Sequence, residues 1–483
     1  MKIKKLLIIL LAFIMLLSVV GCDSQKKPDG PDDTSTSDDL GSSEEIGGKL
    51  DEPHETYGGH ELNIYAWKGY STQFVLNDAD AYSSMSAQAI WERDRFIEEK
   101  LDVELNYIVI DVGQPHETFL NNLEASVMAG DAAFDFVEQY NRNAGAGTMR
   151  GLYVDLQTND EINLEEDYWV PEFTKRMSLG NKMHFAAGDM VTTTTTFTYA
   201  MHYNKDLIAD RGLETPYDLV QKNQWTWEKV FELTQETYVD LGDAADGYDD
   251  SYGIVLCGNN PVDAMYVSAG MTFLGKDADG FYTVSEDFRS EKAATFVQYL
   301  SDMFSKDENF IAPTFDWVAY PEGRALFSVD IVGAIGTVAA KGAVKHFGVA
   351  PLPKYDDQQS RYYANHANNY ILVSIPFDCP NFEAAGAVME YMAIYGQKYV
   401  LPAIFEDGFK LKYSESKEDA EMFDLVRASA SFDAGLIYVD RFQNVFAKTV
   451  RSKGEWGSIS LEVAEATKTA LIPILEDLGD LKR

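Results

Sequence analysis

Cysteine is scarce in this chain, with three among 483 residues, so a disulfide-rich scaffold is excluded. No Cys/His spacing suggests zinc, and Cys257 and Cys379 each sit beside an apolar run. Both read as small buried thiols, with pairing between them as the alternative. Basic side chains are also few: 40 Lys and Arg stand against 78 Asp and Glu, a net charge of −38. Nucleic acid is thereby excluded as a partner, because it needs clustered Lys and Arg. The signatures G-x-S-x-G, H-E-x-x-H and G-x-x-x-x-G-K-[ST] are missing, which argues against the nucleophile, zinc-peptidase and phosphate-loop chemistries they carry. The stretch GAGTMRG, from Gly145, misses the dinucleotide spacing and reads as a loop entering a helix. Acidic GDAADGYDDSYG and KDADG lack the spaced ligands of a calcium loop and read as solvated turns, so neither metal nor cofactor is expected. Carboxylate pairs for glycoside hydrolysis are defined by distance across a cleft, and on these the sequence is silent.

What is present starts with charge followed by an apolar run. MKIKK precedes LLIILLAFIMLLSVV, and a small residue stands before Cys22, the pattern of a secretory signal over residues 1–21. Val19-Val20-Gly21-Cys22 resembles a bacterial lipobox, which implies cleavage before Cys22 and lipidation of its thiol; an uncleaved anchor is the alternative. Residues 22–57 are rich in Asp, Glu, Ser, Gly and Pro and read as a disordered acidic tether. No later apolar run is long enough to span a bilayer. The expected location is the extracellular face of a bacterial membrane, lipid-anchored. From Gly58 the chain is too long for one ordinary core, which suggests two domains.

Strand and helix patterns alternate from there, arguing for mostly parallel sheets with helices on their faces. HELNIYAWKGY reads as a strand, and WERDRFIEEKLDVELNY as a helix running into a strand. ETFLNNLEASVMAGD is a helix stopped by Gly130, and FDFVEQYNR a strand entering a polar loop. The run Thr192–Thr196 has aromatic and β-branched flanks and reads as the start of a strand through Tyr203. QWTWEKVFELTQETYVDLG is a helix capped by Thr226, with Trp225 and Trp227 packing its start. GRALFSVDIVGAIG, KHFGVAPLPKY and NNYILVSIP are strands, a helix begins at Asn381, and Pro473 interrupts the last helix.

In this order the segments resemble the extracellular solute-binding proteins of ABC importers, family 1, in particular the maltose-binding type. The likeness rests on WERDRFIEEKLDVELNY, LEASVMAGDAAFDFVE, GLYVDL, AMHYNKDLIADRGLETPYDL, WTWEKVFEL, FGVAPLPKY and NNYILVSIP, and covers nearly everything after the tether. His202 departs from it, since an apolar residue usually precedes Tyr203-Asn204. The resemblance implies an α/β, two-lobe, periplasmic-binding-protein-like (class II) fold with hinge-strand crossings. It places residues 58–199 and 321–366 in the N-terminal lobe, and 200–320 and 367–483 in the C-terminal lobe. Crossings fall at the threonine run, near Tyr320–Ala325 and near Asn365–Asn369.

Ligands of such sheets sit at the carboxyl ends of strands. That points to Trp67, Lys68 and Tyr70; to Glu138, Gln139, Tyr140, Asn141 and Arg142; and to Tyr199 at the first crossing. In the second lobe it points to Asn259, Asn260, Asp263 and Trp317; it also points to Asp330 at the end of ALFSV, and to Asn365, His366, Asn368 and Asn369. Phe405, Glu406 and Asp407 follow the apolar run YVLPAIF. Carboxylates and amides pair with vicinal hydroxyls, and aromatic faces pack on sugar C–H groups, so a sugar or oligosaccharide is the expected ligand. The expectation is therefore a monomeric receptor and not an enzyme. It would deliver its solute to ABC permease subunits served by a separate ATPase. Peptide or polyamine cargo, or presentation to a membrane sensor, are the alternatives.

Overall fold

The computed structural model describes residues 49–68, 74–112, 117–242, 250–312 and 318–480. The signal, Cys22, most of the tether, Tyr70 and Trp317 lie outside the described residues. In chain order the strands are β1 (His60–Trp67), β2 (Val103–Ile110), β3 (Phe136–Tyr140), β4 (Tyr199–Asn204), β5 (Tyr252–Cys257), β6 (Leu274–Lys276), β7 (Tyr282–Val284), β8 (Asn309–Ala312), β9 (Ala325–Ile331), β10 (Phe347–Ala350) and β11 (Ile371–Ser374). They form a four-stranded sheet, β11-β3-β1-β2, a five-stranded sheet, β10-β4-β9-β5-β8, and the β6-β7 hairpin.

The two large sheets repeat one plan. Three parallel strands, β2-β1-β3 in one and β8-β5-β9 in the other, are joined by a strand running the opposite way, β11 or β4. β3, β4 and β5 are buried along their whole length, as strands covered on both faces must be. β2 sits at an edge, where Glu104 and Asn106 are exposed and blunt it against further pairing. Helix Met85–Leu101 is capped by Ser84, whose hydroxyl accepts from Ala87 N–H at 3.1 Å, and buries Ile90, Ile97 and Leu101. Each sheet with its helices is one lobe.

Pairing overturns the expected division of the chain. β9 and β10, within 321–366, belong to the five-stranded sheet, and β11, after residue 367, belongs to the four-stranded one. Tyr320–Ala325 is therefore not a crossing. The crossings lie side by side instead: Tyr199 N–H donates to Asn365 O at 3.0 Å and Ala367 N–H to Phe197 O at 2.9 Å. Ala364 N–H donates to Ser429 O and Ser431 N–H to Ala364 O, both at 2.8 Å, so a crossing near 429–431 joins those near 198 and 366.

Local chemistry explains three further differences. Thr193–Thr196 is a helical turn, with strand only from Tyr199. Thr194 Oγ1 donates to Val191 O at 3.0 Å and Thr196 Oγ1 to Thr192 O at 3.1 Å, side-chain bonds that favour a turn over a ladder. Residues 49–57 are not free tether: Leu50 is buried in the first lobe and Lys100 Nζ donates to its carbonyl at 3.0 Å. Phe405, Glu406 and Asp407 lie within π-helix Pro402–Leu411, not in a loop.

Other expectations hold. Thr226 Oγ1 accepts from Lys229 N–H at 3.2 Å, and the final helices, Trp456–Ala470 and Ile472–Asp480, break at Leu471 just before Pro473. Cys257 and Cys379 are free thiols. His202 is tolerated inside β4 because burial lowers its pKa to about 4, keeping it neutral, and Nε2 meets Ile331 O at 3.0 Å. Among the described residues no helix is long and apolar enough to cross a membrane.

Gly348 on β10 faces Tyr203 on β4, and a Cβ there would stand 2.3 Å from the ring. Gly348→Ala should cost about 1–3 kcal/mol in urea unfolding, the usual range for overpacking.

Candidate functional site

Parallel strands deliver the residues that follow them to one edge of the sheet, beside the crossings. β3 passes directly into helix Asn141–Met149, so the expected polar loop is a helical turn. GAGTMRG belongs to this helix and its exit, and its glycines have packing roles. A Cβ on Gly145 would come within 2.6 Å of Ile437 O, and one on Gly147 within 2.3 Å of the Tyr153 hydroxyl. Glycine lets segment 435–438 and Tyr153 close against the helix. Asn141 N–H donates to Tyr370 O at 3.1 Å, fastening the turn to the second crossing.

The second lobe presents matching groups. Asp330 is the penultimate residue of β9, and its carboxylate accepts from Ile331 N–H at 2.7 Å. Burial pushes its pKa up to about 6. Tyr199 is also buried, and its phenol is held well above its ordinary range by burial first and then by the charges of Asp330 and Asp263. It is therefore a neutral hydroxyl in an acidic neighbourhood. Arg451 donates to Ile311 O at 3.2 Å and Gly258 O at 3.4 Å, pinning the carbonyl ends of β8 and β5 next to Asn259.

Segment 433–444 links the lobes. Arg142 of the first pairs with Asp440, and four residues later Asn444 N–H donates to Asp263 Oδ2 of the second at 2.7 Å. At the crossings themselves, His366 Nε2 donates to Thr194 O at 2.7 Å, and its ring stacks on Phe432 at 4.5 Å and 9°.

Several expected contacts prove to be structural. The Trp67 indole is 1 % exposed, donates to Val112 O at 3.0 Å and packs edge-on against Tyr140. Gln139 donates to Ser374 Oγ at 3.0 Å and accepts from the Tyr153 hydroxyl at 2.7 Å. Glu138 is buried within β3 near Arg93. Phe405 packs with Ala200, Leu401 and Phe423. Asp263 caps helix Val445–Ser452 through Asn444 and Ala447 N–H groups, and burial raises its pKa to about 7.

Backbone bonds place Tyr199 and Asn365 side by side and Asn141 beside Tyr370, with Arg142 next in sequence and Asn368 and Asn369 in the same crossing segment. Asn259 and Asp330 stand at strand ends of the second lobe. Asn143, Ser431, Asp440 and Arg451 were missed. Arg451 and Asp440 carry no local signal, whereas Asn143 was legible once Asn141 and Arg142 were recognised as a helical turn.

The sequence profile of bacterial extracellular solute-binding proteins matches residues 79–396. The chain belongs to that family. Its members bind solutes outside the cell and are receptors, not enzymes. A search of curated proteins by sequence finds no match. Two solved structures share the fold of this solute-binding protein. One is an ABC substrate-binding protein from Listeria monocytogenes in complex with cycloalternan, with TM-score 0.54 and 13% identity, covering 85% of this chain and 99% of that one. The other is the GacH receptor of Streptomyces glaucescens, solved unliganded and with acarbose and a homolog, with TM-score 0.56 and 14% identity, covering 87% and 99%.

The crossing histidine gives this solute-binding protein a pH signature. Burial lowers the pKa of His366 from 6.5 to about 4, so between these values the unfolded chain binds a proton that the native state does not. Its contribution to stability is lost as pH falls through that window. In urea unfolding, the stability of wild type relative to His366→Gln should shrink from pH 7 to pH 4.5; a constant difference contradicts the assignment.

Proposed function

We propose that this solute-binding protein captures a neutral carbohydrate between its lobes outside the cell and delivers it to an ABC permease with a separate ATPase. Cys22 would carry the lipid that holds it to the membrane. One observation carries the carbohydrate reading: Asn141 Oδ1, Asn143 Nδ2, Asn365 Oδ1 and Ser431 Oγ are buried near the crossings with no hydrogen-bond partner among the described residues. Buried polar groups of this kind cost about 1–3 kcal/mol each unless something pairs with them. They are amides and a hydroxyl, able to donate to and accept from vicinal hydroxyls without demanding charge. The nearby carboxylates Asp263 and Asp433 are already engaged by backbone N–H groups, which leaves neutral groups to read the solute. The sugar ligands of the two fold neighbours are consistent with this chemistry. Solute touching both lobes would favour the closed form by its extra contacts there.

A thermal-shift screen against mono- and oligosaccharides, with peptides and polyamines as controls, tests the proposal. Ligand at ~100 times its dissociation constant adds about 2.7 kcal/mol. Asn365→Ala removes an unpaired Oδ1 together with a long Nδ2 bond to His366 O at 3.4 Å, so it should change the stability of the unliganded protein by less than about 1 kcal/mol and should weaken the sugar about tenfold. A shift from a peptide or polyamine alone would discard the carbohydrate reading.

A further inference from the structure

Beside the polar wall lies a second kind of surface. A cavity of about 230 Å³ sits between helix Asn141–Met149 and the end of helix Trp456–Ala470. Ala146, Met149, Ile437, Ala470 and Leu471 make its walls apolar, and the Arg142–Asp440 ion pair forms part of the lining. The cavity is open to solvent on one side, and its volume exceeds the ~150 Å³ that holds benzene in a dry core. Asn141, Arg142 and Asn143 occupy one helical turn. Of that turn only Arg142 lines the cavity, adjacent in sequence to both asparagines.

We propose that the cavity receives an apolar substituent of the solute, an aryl or short alkyl group attached to the sugar. The proposal rests on the carbohydrate reading for the sugar itself, while the cavity's affinity for apolar groups stands on its walls alone. Ala146 and Met149 belong to the first lobe. The opposite helix is fastened to the second, since Trp456 Nε1 donates to Phe288 O at 3.1 Å. A group placed between them contacts both lobes, and its binding energy adds to the preference for the closed form. Arg142 and Asp440 pair at the lining, and Arg441 stands beside them, so the charged groups lie on one side of the space and the apolar walls on the other. The solute class is therefore a glycoside with an apolar aglycone, not a bare sugar.

Two titrations test this. Toluene, followed by saturation-transfer NMR, should give a saturable signal with wild type that is lost in Ala470→Phe and in Ala146→Leu, both of which fill the cavity. Circular dichroism and melting temperature would establish that each variant is folded. An equal toluene signal in wild type and both folded variants overturns the cavity as a binding site. For the sugar found in the screen, the phenyl glycoside should bind wild type at least tenfold more tightly than the methyl glycoside, with the advantage lost in Ala470→Phe. Equal affinities for the two glycosides overturn the link between cavity and solute. Specific toluene binding with no response to any sugar would sink the carbohydrate reading and leave the apolar site standing.

Discussion

The backbone hydrogen bonds that tie Tyr199 to Asn365, Ala367 to Phe197, and residue 364 to 429 and 431 hold the two lobes in one register. Everything that can act on a solute is placed relative to them. β3 ends at the second crossing through Asn141 and Tyr370, and β4 begins one residue after the Thr198–His366 bridge. Two rigid sheets joined at a few adjacent segments can change their relation by a small number of backbone torsions, the usual mechanics of hinge closure. The pivot is built from neutral groups: threonine hydroxyls, an uncharged His366 and the Phe432 ring beneath it. Among the described residues no buried ion pair lies there to be broken when the lobes move.

Buried charge is mostly satisfied locally. Arg93 and Asp94 are buried together in the first lobe, where Arg93 also donates to Met190 O at 2.7 Å and so braces the approach to the first crossing. Arg451 holds strand-end carbonyls in the second lobe, and Asp263 holds a helix terminus. The β6-β7 hairpin reaches the first lobe, where the Tyr282 hydroxyl donates to Met177 O at 2.9 Å. What remains unpaired at the crossings is a set of neutral amides beside an apolar cavity.

Much of the fold was legible in the sequence because local signals agreed with tertiary ones. The strand patterns of β1, β2, β9, β10 and β11 and the caps at Ser84 and Thr226 were all consistent with their surroundings. The threonine run misled because β-branched propensity was opposed by hydroxyl bonds to carbonyls three and four residues back. The lobe boundaries misled because strand order is a property of pairing, and nothing in β9 or β11 states which sheet it joins. Aromatic strand ends such as Trp67 suggested ligand contacts, yet a buried indole with its N–H engaged is core. The asparagines of segment 365–369 sit beside the crossing that pairs Tyr199 with Asn365. The cavity was not legible at all, because its walls come from three segments far apart in sequence.

The central claim is that the lobes close on a solute about the three crossings. It is tested most directly by double electron–electron resonance between spin labels at exposed Glu99 in the first lobe and Lys222 in the second, with Cys379 replaced by serine and Cys257 left buried. Saturating ligand from the screen should collapse a broad distance distribution onto a single shorter one. A distribution unchanged at saturation would contradict the account, because binding would then not require the two lobes to move on their hinge.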